Sequence, residues 1–402
     1  MNSTAALIIS VVIAFGITAG LGFVIIPWLR KLKFGQTILD IGPKWHKSKQ
    51  GTPNMGGLMF IIGIALSFAL TVLIYHLSGG NLESEYSSIM NGRELVLLLA
   101  GLILALGCGA VGFIDDFTKI KLKRNEGLSP KQKTLGQLIV TLGYIATLWM
   151  SHNTSWYIPF IGRVNFEKNI FTAVVFWILS IFIVYGCVNS VNLTDGIDGL
   201  CSSVTSTVAI AFIVLGYIQG FAGLTIFSGA LLGGVLGFLC WNWNPAKTFM
   251  GDTGSLFLGG MVVALGYMCK CPIILLPIGI VYVCETMSDI IQIGYFKITH
   301  GKRVFMFICM LMLMCMLMVV VMGMCVIGFF HTIYRNRHMC AGDAALYGRL
   351  PAILHTGNAE SVQLVHKAIR VRQQLQQCRG QHIACGTHAA IQIQSFHDFA
   401  SM

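Results

Sequence analysis

ELVLLLAGLILALGCGAVGFIDDFTK, residues 94–119, decides how the chain folds. From Leu95 to Ile114 it is an unbroken run of apolar and small residues, and it stops at Asp115-Asp116. About 20 apolar residues cross a hydrocarbon core as one α-helix. The run therefore predicts a membrane span with two adjacent carboxylates at its edge. Such a pair repels itself, costs desolvation, and meets the unfavourable end of the helix dipole. A charge pair in water at a helix end is the plain alternative. Otherwise the pair needs a cation partner or serves as a base.

Working outward, further apolar runs lie at 5–28, 56–76, 135–151, 170–187, 199–219, 223–241, 255–269, 273–296 and 306–330, which makes ten with 95–114. They are continuously apolar rather than alternating, which excludes a membrane barrel. Of 402 residues 55% are hydrophobic and only 11% charged, with mean hydropathy +0.74; a soluble domain carries about 25% charged residues. The expected fold class is all-α, a polytopic integral membrane protein of about ten transmembrane helices. Residues 1–330 are expected to form the transmembrane catalytic domain and 331–402 an atypical tail. The first run is too long for a signal peptide and reads as a span. Thirteen cysteines are scattered without a CxxC pair, so neither a zinc site nor a redox motif is expected.

The net charge of +11 resides in loops, so it points to topology and anionic ligands rather than to nucleic acid. Segment 29–55 holds Arg30, Lys31, Lys33, Lys44, Lys47 and Lys49; segment 115–134 holds Lys119, Lys121, Lys123, Arg124, Lys131 and Lys133. Segments 77–94 and 152–169 are poor in cations. Cation-rich loops stay in the cytoplasm, which places the N-terminus outside. Loops 29–55, 115–134, 188–198, 242–254 and 297–305 then share the cytoplasmic face, and every conspicuous polar motif falls in one of them.

In Asn189-Ser190-Val191-Asn192-Leu193-Thr194-Asp195-Gly196-Ile197-Asp198-Gly199, two asparagines and two aspartates repeat at three-residue spacing. They share one face if the segment is helical, and such oxygens suit a hard cation such as Mg²⁺; a glycine-rich Asx turn is the alternative. Asp252 sits between Gly251 and Gly254 just before an apolar helix. Amides there can cradle a phosphate, or the segment is an ordinary capped N-terminus. Lys47, Lys49 and the glycines of 51–57 can hold diphosphate or simply set topology. Carboxylates, amides and lysines on one membrane face describe phosphoryl transfer to a lipid.

These motifs resemble the phospho-N-acetylmuramoyl-pentapeptide-transferase family of polyprenyl-phosphate sugar-phosphate transferases. The resemblance lies in GTPNMGG at 51–57, GFIDDFTK at 112–119, GLSPKQK at 127–133, NSVNLTDGIDGL at 189–200 and FMGDTGSLFLGG at 249–260, and runs to about Phe305. It implies ten spans, Mg²⁺ dependence, and transfer of phospho-MurNAc-pentapeptide from UDP-MurNAc-pentapeptide to undecaprenyl phosphate, giving lipid I and UMP. That is the first membrane step of peptidoglycan synthesis, in a bacterial plasma membrane. By motif, Asp115 resembles the family's candidate base, with Asp116 beside it. Asp252 matches the aspartate tied to Mg²⁺, and Asn192 a metal-adjacent asparagine. Lys47, Lys49, Thr52, Lys119, Lys123, Lys131, Lys133, Asn189, Asp195, Asp198, Asn242 and Phe249 fall at substrate-recognition positions. A homodimer is the expected assembly.

The chain departs from the pattern after Phe305. A loop with three consecutive histidines is expected there, but Met306-Phe307-Ile308-Cys309-Met310 follows. A shifted reading frame or a fused tail would produce this change. Alternative functions are a related UDP-GlcNAc:polyprenyl-phosphate GlcNAc-1-phosphate transferase, and a chain catalytically impaired by loss of the histidine loop. A transporter would need charges near span centres, and only Glu285 and Asp289 lie inside a span, near its cytoplasmic part.

Overall fold

The computed structural model describes residues 1–32, 51–82, 94–122, 127–158 and 161–299. Lys47, Lys49, Lys123, the tenth apolar run and the tail lie outside the described residues. In chain order the elements are α1 (Ser3–Lys31), α2 (Gly57–Leu77), α3 (Glu94–Lys121), α4 (Pro130–Met150), β1 (Ser155–Ile158), β2 (Gly162–Asn165), α5 (Ile170–Thr194), α6 (Leu200–Ile218), α7 (Ala222–Asn242) and α8 (Gly251–Met268). A 3₁₀ turn (Pro272–Ile274), α9 (Leu275–Ile278) and α10 (Ile280–Ile298) follow.

Small residues set where the helices meet. On α3, Gly101, Ala105, Gly109 and Gly112 recur at helical spacing and form one stripe. A Cβ on Gly101 would come within 2.7 Å of the Ala264 methyl, one on Gly260 within 2.6 Å of Ala105 Cα, and one on Gly109 within 3.2 Å of Phe257 Cβ. Lipid tails are as apolar as side chains, so helices in a bilayer associate through this close backbone approach. The stripe seats α3 on α8, whose residues from Thr253 to Met268 are all buried. Helix α8 also packs on α5 and α2, while α7 joins α1, α2 and α6. Outward faces are apolar, as at Phe23, Ile103, Phe171 and Phe182.

The protein is an all-α polytopic membrane protein. Among the described residues, six helices are long and apolar enough to cross a membrane: α1, α2, α3, α5, α6 and α7. A seventh arises if the 3₁₀ turn with α9 and α10 is one span bent by 77°. The expected runs at 135–151 and 255–269 are the helices α4 and α8. Helix α4 carries Lys131 and Lys133 at its start, and α8 is only 18 residues long with its polar residues in the first turn.

The cation-poor segment 152–169 contains a short antiparallel hairpin of β1 and β2, pairing Ser155 with Asn165 and Ile158 with Gly162. Strands of four residues leave too short a pattern to be read from sequence. Trp156 anchors the hairpin, with its ring 4.8 Å from Phe166 and 5.8 Å from Tyr267 of α8, and the Tyr157 N–H donates to the Lys270 carbonyl at 2.6 Å.

Candidate active site

The stripe that packs α3 on α8 continues into the site. One turn beyond Gly112, Asp115 and Asp116 fall on the same helical face, and Lys119 follows one turn later. Both aspartates are buried, at 3% and 1% exposure. The N-terminus of α8 presents Asp252 opposite them. One oxygen from each of Asp115, Asp116 and Asp252 lies within 4.8 Å of the others.

Gly251 makes this approach possible. Its φ of +71° is one that L side chains rarely adopt, and a Cβ there would stand 2.5 Å from Asp116 Oδ2 and 2.7 Å from Asn54 Oδ1. Asp116 is held by three protein groups: Oδ2 accepts from the Thr253 N–H (2.9 Å) and Thr253 Oγ1 (2.8 Å), and Oδ1 accepts from Asn54 Nδ2 (3.2 Å). It thus satisfies an orphan amide of the first turn of α8 from a neighbouring helix. Asp115 Oδ1 accepts from the Leu128 N–H at 2.8 Å, in the loop where Ser129 and Gln132 form a capping box that starts α4.

Cations come from two helices. Lys119 Nζ lies 2.6 Å from Asp115 Oδ2, 2.7 Å from Asp252 Oδ2 and 3.7 Å from Asp116 Oδ1. Lys133 Nζ, in the first turn of α4, lies 3.2 Å from Asp252 Oδ2. A helix dipole disfavours a lysine in that turn, and Asp252 offsets the penalty. Asn192, near the end of α5, donates to Asp252 Oδ1 (2.8 Å) and Ser255 Oγ (2.7 Å). Burial would raise the Asp252 pKa, but contact with Asp115 and the charges of Lys133 and Lys119 hold it well below the usual carboxylate range. The Asp252 side chain keeps 18% exposure, so of the three aspartates it is the one most open to a ligand. Three carboxylates facing two ammonium groups leave a surplus of negative charge. Their oxygens form a hard donor set that can hold a divalent ion of the Mg²⁺ type.

The other sequence candidates divide. Asn189, one turn before Asn192, is in a reciprocal amide pair with Gln137 of α4 (2.9 and 3.4 Å) and ties α5 to α4. Helix α5 ends at Thr194, so the run through Asp198 is not one helical face. Asp195 follows the helix end, where burial and the carboxylates of Asp252, Asp116 and Asp198 push its pKa up. Asp198 Oδ2 accepts from Asn244 Nδ2 (3.3 Å) and the Ala246 N–H (3.2 Å), pinning the loop before α8. Asn242 is 2% exposed; it accepts from the Gly199 N–H and donates to the Thr248 carbonyl, both at 2.9 Å. It therefore clamps two motif loops together. Phe249 and the half-buried Thr52 belong to segments joined by backbone bonds, Phe249 N–H to Pro53 O (2.9 Å) and Gly56 N–H to Phe249 O (2.8 Å). Lys131 lines an open groove with Pro130, Thr134, Leu135 and Leu138 instead of joining the cluster.

In the sequence Asn54 and Gln137 carry no sign of these specific roles, and Thr253 reads only as one of several backbone amides before an apolar helix. A polar side chain beside an apolar run, as at Asn54, was the available signal.

Comparison with known proteins places this arrangement in a lineage. The model of glycosyl transferase family 4 matches residues 98–270, which carry Asp115, Asp116, Asn192 and Asp252. A phospho-N-acetylmuramoyl-pentapeptide-transferase of Desulforamulus reducens is 44% identical over 295 residues, 73% of this chain and 82% of the relative. Relatives of the same name from Carboxydothermus hydrogenoformans and Bacillus subtilis are each 41% identical, over 304 and 299 residues, covering 74% of this chain and 86% of each relative. Identity of this order across most of each relative settles the kinship, and the chain belongs to the phospho-N-acetylmuramoyl-pentapeptide-transferase family.

Proposed function

We propose that this chain moves phospho-MurNAc-pentapeptide from UDP-MurNAc-pentapeptide to undecaprenyl phosphate, leaving lipid I in a bacterial plasma membrane and releasing UMP. The observation that supports it most is Asp252, a partly open carboxylate touched by two ammonium groups at the end of a multi-pass bundle. Phosphoryl transfer asks a protein chiefly for position and charge. Lys119 and Lys133 are the cations that would hold diphosphate oxygens of the donor. Asp115 would take a proton from the acceptor phosphate, whose oxygen then forms the new P–O bond as the bond to UMP breaks. Asp116 positions the start of α8, and Asn192 orients Asp252. With oxygens from Asp115 and Asp116, Asp252 would hold Mg²⁺, which when bound neutralises charge on the transferring group. The cation-rich motif loops support a cytoplasmic position for this end of the bundle, on the side where a nucleotide donor is found.

The test is donor choice by the purified full-length chain with undecaprenyl phosphate and Mg²⁺. UDP-MurNAc-pentapeptide is expected to be used at least 100-fold better, by kcat/KM, than UDP-GlcNAc. Preference for UDP-GlcNAc would reassign the chain to the sister activity.

A further inference from the structure

One ammonium sits at the centre of the acidic cluster. Lys119 Nζ contacts Asp115 and Asp252 at 2.6 and 2.7 Å and reaches Asp116 at 3.7 Å. These are the same three residues whose oxygens converge within 4.8 Å. A lysine ammonium is a compact charge on a flexible stem, without the planar fork that ties arginine to one geometry. It suits the same space as a small metal ion. Two cations held by one set of oxygens at such distances repel strongly, because the site is mostly withdrawn from water.

Each carboxylate also has a holder other than Lys119. Asp115 accepts from the Leu128 amide, Asp116 from Thr253 and Asn54, and Asp252 from Asn192 and Lys133. The cradle therefore keeps its shape without the lysine. Lys119 is 30% exposed at its side chain and lies in the last turn of α3, so its flexible stem is not fully enclosed by the described residues.

We propose that Lys119 is an exchangeable counter-ion: it neutralises the three carboxylates until a divalent cation displaces it, and its freed ammonium then binds the donor's diphosphate. The inference rests on the divalent-ion reading given under Proposed function. It assigns Lys119 two successive partners and makes metal entry the event that arms the phosphate-binding group.

The probe is Mn²⁺ binding to the purified full-length chain without substrates, read from the paramagnetic resonance of free Mn²⁺. Lys119→Met and Lys119→Gln should each bind at least tenfold more tightly than wild type, about 1.4 kcal/mol. Lys121→Gln removes the same charge from an exposed position on the same helix and should stay within twofold. Thermal unfolding gives a second readout: Mn²⁺ should raise the melting temperature more in the Lys119 variants than in wild type. That difference is readable even where the metal-free variant is less stable. Equal or weaker Mn²⁺ affinity in both Lys119 variants overturns the exchange and leaves the metal site standing. Absence of Mn²⁺ binding in every chain overturns both.

Discussion

Asp116 uses both of its carboxylate oxygens on Asn54 and Thr253 and is closed to solvent, whereas Asp252 faces Lys119 and Lys133 and keeps 18% exposure. Their substitutions should differ accordingly. Asp252→Asn keeps the shape and the neighbours of the side chain but removes its charge. Turnover should fall at least 100-fold, about 2.7 kcal/mol, with a melting temperature within a few degrees of wild type. UMP release and thermal unfolding measure the two, and a near-normal rate across a Mg²⁺ titration would exclude Asp252 from the chemistry. The charged members of the site were legible in the sequence to different degrees: Asp115 and Asp116 end an apolar run and Asp252 stands just before one, where charge is expensive, whereas Lys119 and Lys133 stand among other loop lysines and are singled out only by the motifs they belong to. Asn189 and Asn242 were legible as motif members but not in their roles. Whether an amide meets substrate or another loop depends on partners such as Gln137, Gly199 and Thr248, which are 43 or more residues away or across a turn.

At the scale of elements, the seam between α3 and α8 sets the distance between the carboxylates. Gly112 is its last small residue before Asp115. A Cβ there would collide with the Asp252 carbonyl and stand 2.7 Å from the Thr253 nitrogen. Gly112→Ala should therefore drive the start of α8 away from α3. The expected cost is about 1–3 kcal/mol of stability, with kcat reduced at least tenfold because Asp252 leaves Asp115 and Lys119. Melting temperature and UMP release check both, and wild-type values for both would show that the seam does not control the site. The helices themselves follow from the apolar runs in the sequence. The 77° bend before α10, the hairpin and the end of α5 at Thr194 do not. Each depends on a local break or a short strand that a 20-residue apolar pattern cannot register.

Across the whole molecule, four motif loops meet at one end of the bundle through hydrogen bonds between residues 53–56 and 248–249, 116 and 253, 192 and 252, and 198 and 246. The hairpin belongs to the loops expected on the opposite side. With the thirteen native cysteines replaced, Lys168→Cys should react with an impermeant thiol reagent in intact cells, and Lys247→Cys only after permeabilisation. Labelling of Lys247→Cys in intact cells would reverse the orientation. The activity itself is tested most directly by product stoichiometry. Purified chain supplied with UDP-MurNAc-pentapeptide, undecaprenyl phosphate and Mg²⁺ should form UMP and lipid-linked phospho-MurNAc-pentapeptide in equal amounts, and neither product when the lipid acceptor is omitted. UMP formed without the acceptor, or no lipid-linked product in its presence, would contradict the assignment of this site to lipid-linked sugar-phosphate transfer.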